Sequence, residues 1–121
     1  MENQGLLLGE VEGRFADLIW KNEPISSSEL VKMASAEFKW KRTTTHNVIR
    51  RLCDKGLFRR DEGGIVSSLI SKSEYQALQS GRFLDIVYNG SLPMFVSGLV
   101  RTRKLSKEEI DEIIEMLKEE K

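Results

Sequence analysis

The chain is poor in the side chains that metal chemistry and covalent cross-links require. Its 121 residues include one cysteine, Cys53, and one histidine, His46. A lone cysteine excludes an internal disulfide and suits a reducing compartment, which places the expected location in the cytoplasm. One His and one Cys make no ligand cluster, so no metal and no cofactor are expected. No apolar run approaches the roughly 20 residues that a membrane span needs. The apolar start Leu6-Leu7-Leu8 is too short for a secretory segment and has no cationic flank, so no signal peptide is read. There is no internal repeat, no paired-carboxylate cleft, no nucleophile-plus-base set and no phosphate loop, and an enzyme is not expected. Formal net charge is zero, so no global cationic field exists.

What the chain does have is charge sorted by region. From Lys39 to Arg60 eight basic residues (Lys39, Lys41, Arg42, Arg50, Arg51, Lys55, Arg59, Arg60) face one acid, Asp54, a local +7. From Leu105 to Lys121 seven acids face three lysines, a local −4. Such asymmetry suggests that one end meets a polyanion while the other does different work. The content of 40% apolar and 31% charged residues fits a soluble chain of one ordinary domain or two small ones.

Periodicity and punctuation define the elements. Val11, Phe15, Leu18 and Ile19 fall on one face of a helix from about Gly9 to Lys21, which Pro24 stops. Pro24-Ile25 reads as a short extended piece. Ser26 with Glu29 forms a capping box and opens a second helix, with Leu30, Met33, Ala34 and Phe38 on its buried side. After a linker carrying Trp40, a third helix runs from about Thr43 to Asp54 and ends at Gly56. A hairpin follows: Gly56 to Arg60, a turn at Asp61-Glu62-Gly63-Gly64, then Ile65 to Ile70. Three more helices are expected at about Lys72–Tyr88, Leu92–Thr102 and Ser106–Glu120, with Ser71 or Ser73 capping the first and Ser106-Lys107-Glu108-Glu109 the last. The fold class is therefore mainly α: a winged helix-turn-helix over residues 1–71 and a helical region over 72–121.

The third helix divides cleanly by angle. Thr45, Val48, Ile49 and Leu52 cluster on one side, while Thr43, His46, Asn47 and Arg50 face the other, flanked by Thr44, Arg42 and Arg51. A solvated helix face usually carries Glu and Lys at i,i+4 spacing; this one carries Thr, His, Asn and Arg, which suit base edges. Thr43, Thr44, His46, Asn47 and Arg50 are the expected base contacts, and Lys41, Arg42 and Arg51 the expected phosphate contacts. Arg59 and Arg60 can add phosphate contacts from the hairpin, although Asp61 and Glu62 at its tip would be repelled. Trp20, Trp40 and Cys53 read as packing residues. The rival reading is a winged helix that docks an acidic protein through the same basic helix.

At this point the chain resembles the penicillinase and methicillin-resistance repressors and their copper-responsive relatives. The resembling pieces are Gly9-Glu10, Leu18-Ile19-Trp20-Lys21, Pro24-Ile25-Ser26 and Glu29-Leu30, then Trp40, Thr44, Arg51-Leu52 and Lys55-Gly56. Ser71, Glu74-Tyr75, Phe83-Leu84-Asp85, Asn89-Gly90-Ser91-Leu92, Leu105-Ser106 and Glu108-Glu109-Ile110 continue the match along nearly the whole chain. The resemblance implies a winged-helix homodimer that binds a palindromic operator in double-stranded DNA and blocks transcription. It further implies dimer packing by Phe83, Leu84, Ile86, Val87, Leu92, Phe95, Val96, Leu99, Ile110, Ile113, Ile114 and Leu117, and an inducing partner such as a sensor protease. Departures are specific. Gly13 stands where a tryptophan is frequent, and no proline opens the third helix at Lys41-Arg42-Thr43. Gly98-Leu99 replaces the cleaved Asn-Phe bond of antibiotic-responsive members, and the C-terminal cysteine cluster of copper-responsive members is missing.

Overall fold

Three of the helices begin where serine–glutamate pairs stand. The computed structural model describes residues 8–119. Its elements are α1 (Glu10–Asn22), β1 (Ile25–Ser26), α2 (Ser27–Phe38), α3 (Arg42–Asp54), β2 (Phe58–Arg60), β3 (Ile65–Ser68), α4 (Lys72–Tyr88), α5 (Leu92–Thr102) and α6 (Lys107–Glu119). The last residue expected in α6, Glu120, lies outside the described residues. Ser26 Oγ accepts from the Glu29 amide at 3.1 Å. At Ser71 both arms of the box close, since its Oγ accepts from the Glu74 amide and the Glu74 carboxylate accepts from the Ser71 amide, each at 3.1 Å. Ser71, not Ser73, is thus the cap. Ser106 and Glu109 repeat the arrangement at 3.1 and 3.2 Å. Each such cap contributes about 1 kcal/mol to its helix.

The sheet has three antiparallel strands in the order β1-β3-β2. Ile25 pairs with Val66 and Ser26 with Ile65, so the extended piece after Pro24 becomes a third strand beside the hairpin. β3 ends at Ser68, two residues before the expected end at Ile70. Past that point the Ile70 carbonyl accepts from the Trp20 indole at 3.1 Å. Glu23 anchors the same corner, accepting from the Ser68 amide at 2.6 Å and the Ser68 hydroxyl at 2.8 Å. In the hairpin turn Asp61 Oδ1 accepts from the Ile65 amide at 2.9 Å, and Gly64 adopts φ +82°, where a side chain would be strained.

Phe15, Ile19, Leu30, Ile49, Leu52, Leu57, Phe58 and Val66 fill the core between α1, α2, α3 and the sheet. Trp40 packs on Phe15 and Phe38 with ring centres 5.1 and 4.9 Å apart, and Trp20 on Phe58 and Tyr75 at 5.0 and 5.6 Å. Val11 departs from expectation, being 43% exposed. Val11 lies in the first turn of α1, one turn ahead of its first buried residue, Phe15. At Gly13 an added Cβ would meet nothing within 4 Å. The space belongs to a groove of about 300 Å³ that Gly13, Trp20 and Tyr75 help to line.

The chain divides into two compact units between Arg82 and Phe83, inside α4. The first turns of α4 join the winged-helix unit through Tyr75, which is 6% exposed. In the other unit the α4–α5 turn places Asn89 at φ 53° and Gly90 at φ 80°, and the Gly90 amide donates to the Leu84 carbonyl at 3.1 Å. Phe83, Tyr88 and Phe95 meet edge to face with ring centres 5.4–6.2 Å apart. No residue of α5 or α6 is buried. Gly98 and Leu99 lie in the interior of α5. No single helix among the described residues is long and apolar enough to cross a membrane.

Candidate nucleic-acid interface

The inward side of α3 is closed. Thr45, Val48, Ile49 and Leu52 are each at most 2% exposed, and the Thr45 hydroxyl is satisfied by the Lys41 carbonyl at 3.2 Å. The opposite edge is open: Thr43, Thr44, Asn47 and Arg50 are exposed and His46 is half-buried beside them. At about 100° per residue, Thr43, Asn47, Arg50 and His46 span roughly a quarter to a third of the helix circumference. α3 starts at Arg42, one residue earlier than expected, with Lys41 as its N-cap. No side chain caps this end and no acid sits in its first turn, so the leading amides, Lys41 and Arg42 share one positive terminus.

Two of the expected phosphate contacts, Arg51 and Arg60, are already engaged. Arg51 Nε–H donates to Glu12 Oε2 at 3.2 Å, and the Lys55 ammonium lies 3.6 Å from the other oxygen of the same carboxylate. Glu12 therefore ties α1 to the flank of α3, with the Arg51 side chain still 58% exposed. Arg60 is half-buried and its guanidinium lies 3.2 Å from His46 Nδ1, joining β2 to the rim of the α3 edge. Lys41, Arg42 and Arg59 are exposed. Partial burial holds the His46 pKa below its ordinary value, and Arg60, Arg42 and Arg50 lower it further.

None of these pairings was visible in the sequence. Glu12 is 39 residues from Arg51, and Glu23 is 45 from Ser68. Helical periodicity shows which residues share a face, yet carries no information on which distant carboxylate reaches them. Asp61, read as a turn residue and as a charge that phosphates would repel, also fastens the hairpin turn through Ile65. Cys53 is half-buried at the edge of the core, where burial raises its pKa against the opposing pull of Arg60, with Asp54 adding to the rise. That makes a poorly reactive thiol. No group of three His, Cys, Asp or Glu side chains converges for a metal among the described residues.

Comparisons with known proteins agree on one family. The penicillinase repressor family model matches residues 8–119. The penicillinase repressor of Bacillus licheniformis is 30% identical over 117 residues, covering 94% of this chain and 91% of that protein. The methicillin resistance regulatory protein MecI of Staphylococcus aureus is 26% identical over 120 residues, covering 97% and 98%. MecI of Mammaliicoccus sciuri is 25% identical over the same length.

Proposed function

The chain belongs to the penicillinase repressor family of transcriptional repressors, which are regulators and not enzymes, and from that premise we propose that it represses by binding a palindromic operator as a cytoplasmic homodimer. Each half lays α3 in a major groove. Thr43, Thr44, His46, Asn47 and Arg50 meet base edges, and Lys41, Arg42, Arg51 and Arg59 meet phosphates together with the uncapped α3 terminus. The single observation that supports this best is the open α3 edge: polar, free of carboxylates from Thr43 to Arg51, and flanked by cations.

Pairing falls to the second unit. Phe83, Val87, Leu92, Val96, Ile110, Ile113, Ile114 and Leu117 are 42–55% exposed, and Leu84, Phe95 and Leu99 are half-buried beside them. Faces so apolar gain roughly 25 cal/mol per Å² when covered, and a second copy presents the same faces. A two-fold dimer then predicts half-sites about 34 Å, or about 10 bp, apart from centre to centre.

Selection from a random duplex library tests the reading: symmetric enriched sites are expected. On such a site Asn47→Ala and Arg50→Ala should each cost about 1–3 kcal/mol and relax one position per half-site. Arg42→Ala should weaken all sequences alike and reduce the salt slope by about one. Equal losses on selected and scrambled DNA from all three variants would overturn the division between base and phosphate contacts, and no enrichment would favour an acidic protein partner.

A further inference from the structure

His46 sits on the rim of the open α3 edge, next to Arg50 and Thr43 by helical angle. Its Nδ1 is 3.2 Å from a terminal guanidinium nitrogen of Arg60. A guanidinium stays charged, has only N–H groups to offer and accepts nothing. The roles at this contact are therefore forced: Arg60 donates and Nδ1 accepts. An imidazole accepting at Nδ1 carries its one proton on Nε2. No protein atom among the described residues hydrogen-bonds Nε2, while every buried side-chain nitrogen or oxygen among them has a partner. The Nε2–H is consequently reached by solvent, on the edge of the ring turned away from Arg60.

We propose that Arg60 is a positioning residue that holds His46 in its Nε2–H form, so that His46 presents a donor alone and selects a base edge carrying an acceptor. Such acceptors in the major groove are guanine N7 and O6, adenine N7 and thymine O4; the cytosine amino group is disfavoured. The inference rests on α3 being the base-contacting helix and deepens it by giving one position a chemical sign. Asn47 can turn its amide to suit either kind of edge, whereas His46, fixed from behind, cannot. The charged groups facing the ring are Arg60 from β2 and Arg42 and Arg50 from α3, all cationic, so a second proton at Nδ1 would be opposed from both elements. Arg60 also differs here from the phosphate clamp that its place in the hairpin suggests.

Because His46 is the chain's one histidine, a long-range ¹H–¹⁵N spectrum of the full protein contains a single imidazole pattern. The wild type should show Nε2–H only. In Arg60→Met an Nδ1–H fraction should appear and the titration midpoint should rise toward about 6.5. Should that variant fail to fold, Arg60→Gln, whose amide can meet either tautomer, should give the same mixture. An Nδ1–H pattern in the wild type, or an unchanged spectrum in a folded Arg60 variant, overturns the proposal. Library selection then tests the readout: the folded Arg60 variant should lose preference at the same position per half-site that His46→Ala loses, with affinity for scrambled DNA unchanged. Uniform weakening on all sequences, with the salt slope reduced by about one, would make Arg60 a phosphate contact instead. If the wild type itself enriches no site, the operator reading fails and the base-selection part fails with it, while the tautomer assignment still stands or falls on the spectrum.

Discussion

Partial burial and three neighbouring guanidinium groups keep the His46 ring neutral in the fold at pH values where the unfolded chain has taken up a proton. The unfolded state then binds the extra proton, so the sign of the linkage is fixed. Folding stability is unaffected by this group above about pH 6.5, the unfolded value, and declines as pH falls below it toward the lower folded value. Urea midpoints measured from neutral pH downward should show the wild type losing ground to His46→Gln below that point, and parallel curves would reject the assignment. At this scale the sequence was informative about faces and silent about partners. Thr45 and Asn47 differ by two positions, and helical angle alone sends one inward and one outward. That Arg51 answers to Glu12 and Arg60 to His46 depends on how α1 and β2 are laid against α3.

Among the elements, boundaries were legible wherever a local hydrogen bond or a backbone restriction sets them. Ser71-Glu74 and Ser106-Glu109 close reciprocal caps, and Gly56 ends α3 at φ +83°, all from residues adjacent in the chain. The extended piece after Pro24 was legible but its pairing was not, because the two-residue β1 is joined to Val66 and Ile65, some 40 residues on. The hairpin shows a local bond hidden by its own composition. Asp61 looks like a charge in the wrong place for DNA, yet its carboxylate accepts from the Ile65 amide across the turn. Asp61→Ala should therefore lower the unfolding free energy by about 0.5–1.5 kcal/mol, whereas Glu62→Ala should leave it nearly unchanged. Chemical denaturation of the two variants distinguishes a fastening role from a purely electrostatic one.

For the molecule as a whole, the contrast between the two units is one of completeness. The winged-helix unit buries Phe15, Ile19, Leu52 and Phe58 entirely or nearly so, while α5 and α6 bury nothing. Ile110, Ile113, Ile114 and Leu117 fall within about 100° of the α6 circumference, each 42–55% exposed. Placing a charge in that stripe should prevent two copies from covering each other. Ile113→Asp is expected to sediment as a monomer, to lose the concentration dependence of its melting temperature, and to bind a full operator no better than a half-site. A dimer unchanged by this substitution would move the pairing surface elsewhere.

Both indoles, Trp20 and Trp40, belong to the winged-helix unit, where they stack on Phe58, Tyr75, Phe15 and Phe38. The second unit holds no indole, and its one tyrosine, Tyr88, is not excited in the long-wavelength indole band. Emission excited in the indole band therefore watches one unit, while far-ultraviolet ellipticity watches both. Superimposable melting curves from the two signals would mark a single cooperative transition, and a gap between them would measure how far one unit survives the loss of the other. The placement of two aromatic side chains thus gives the protein a built-in, label-free optical separation of its halves.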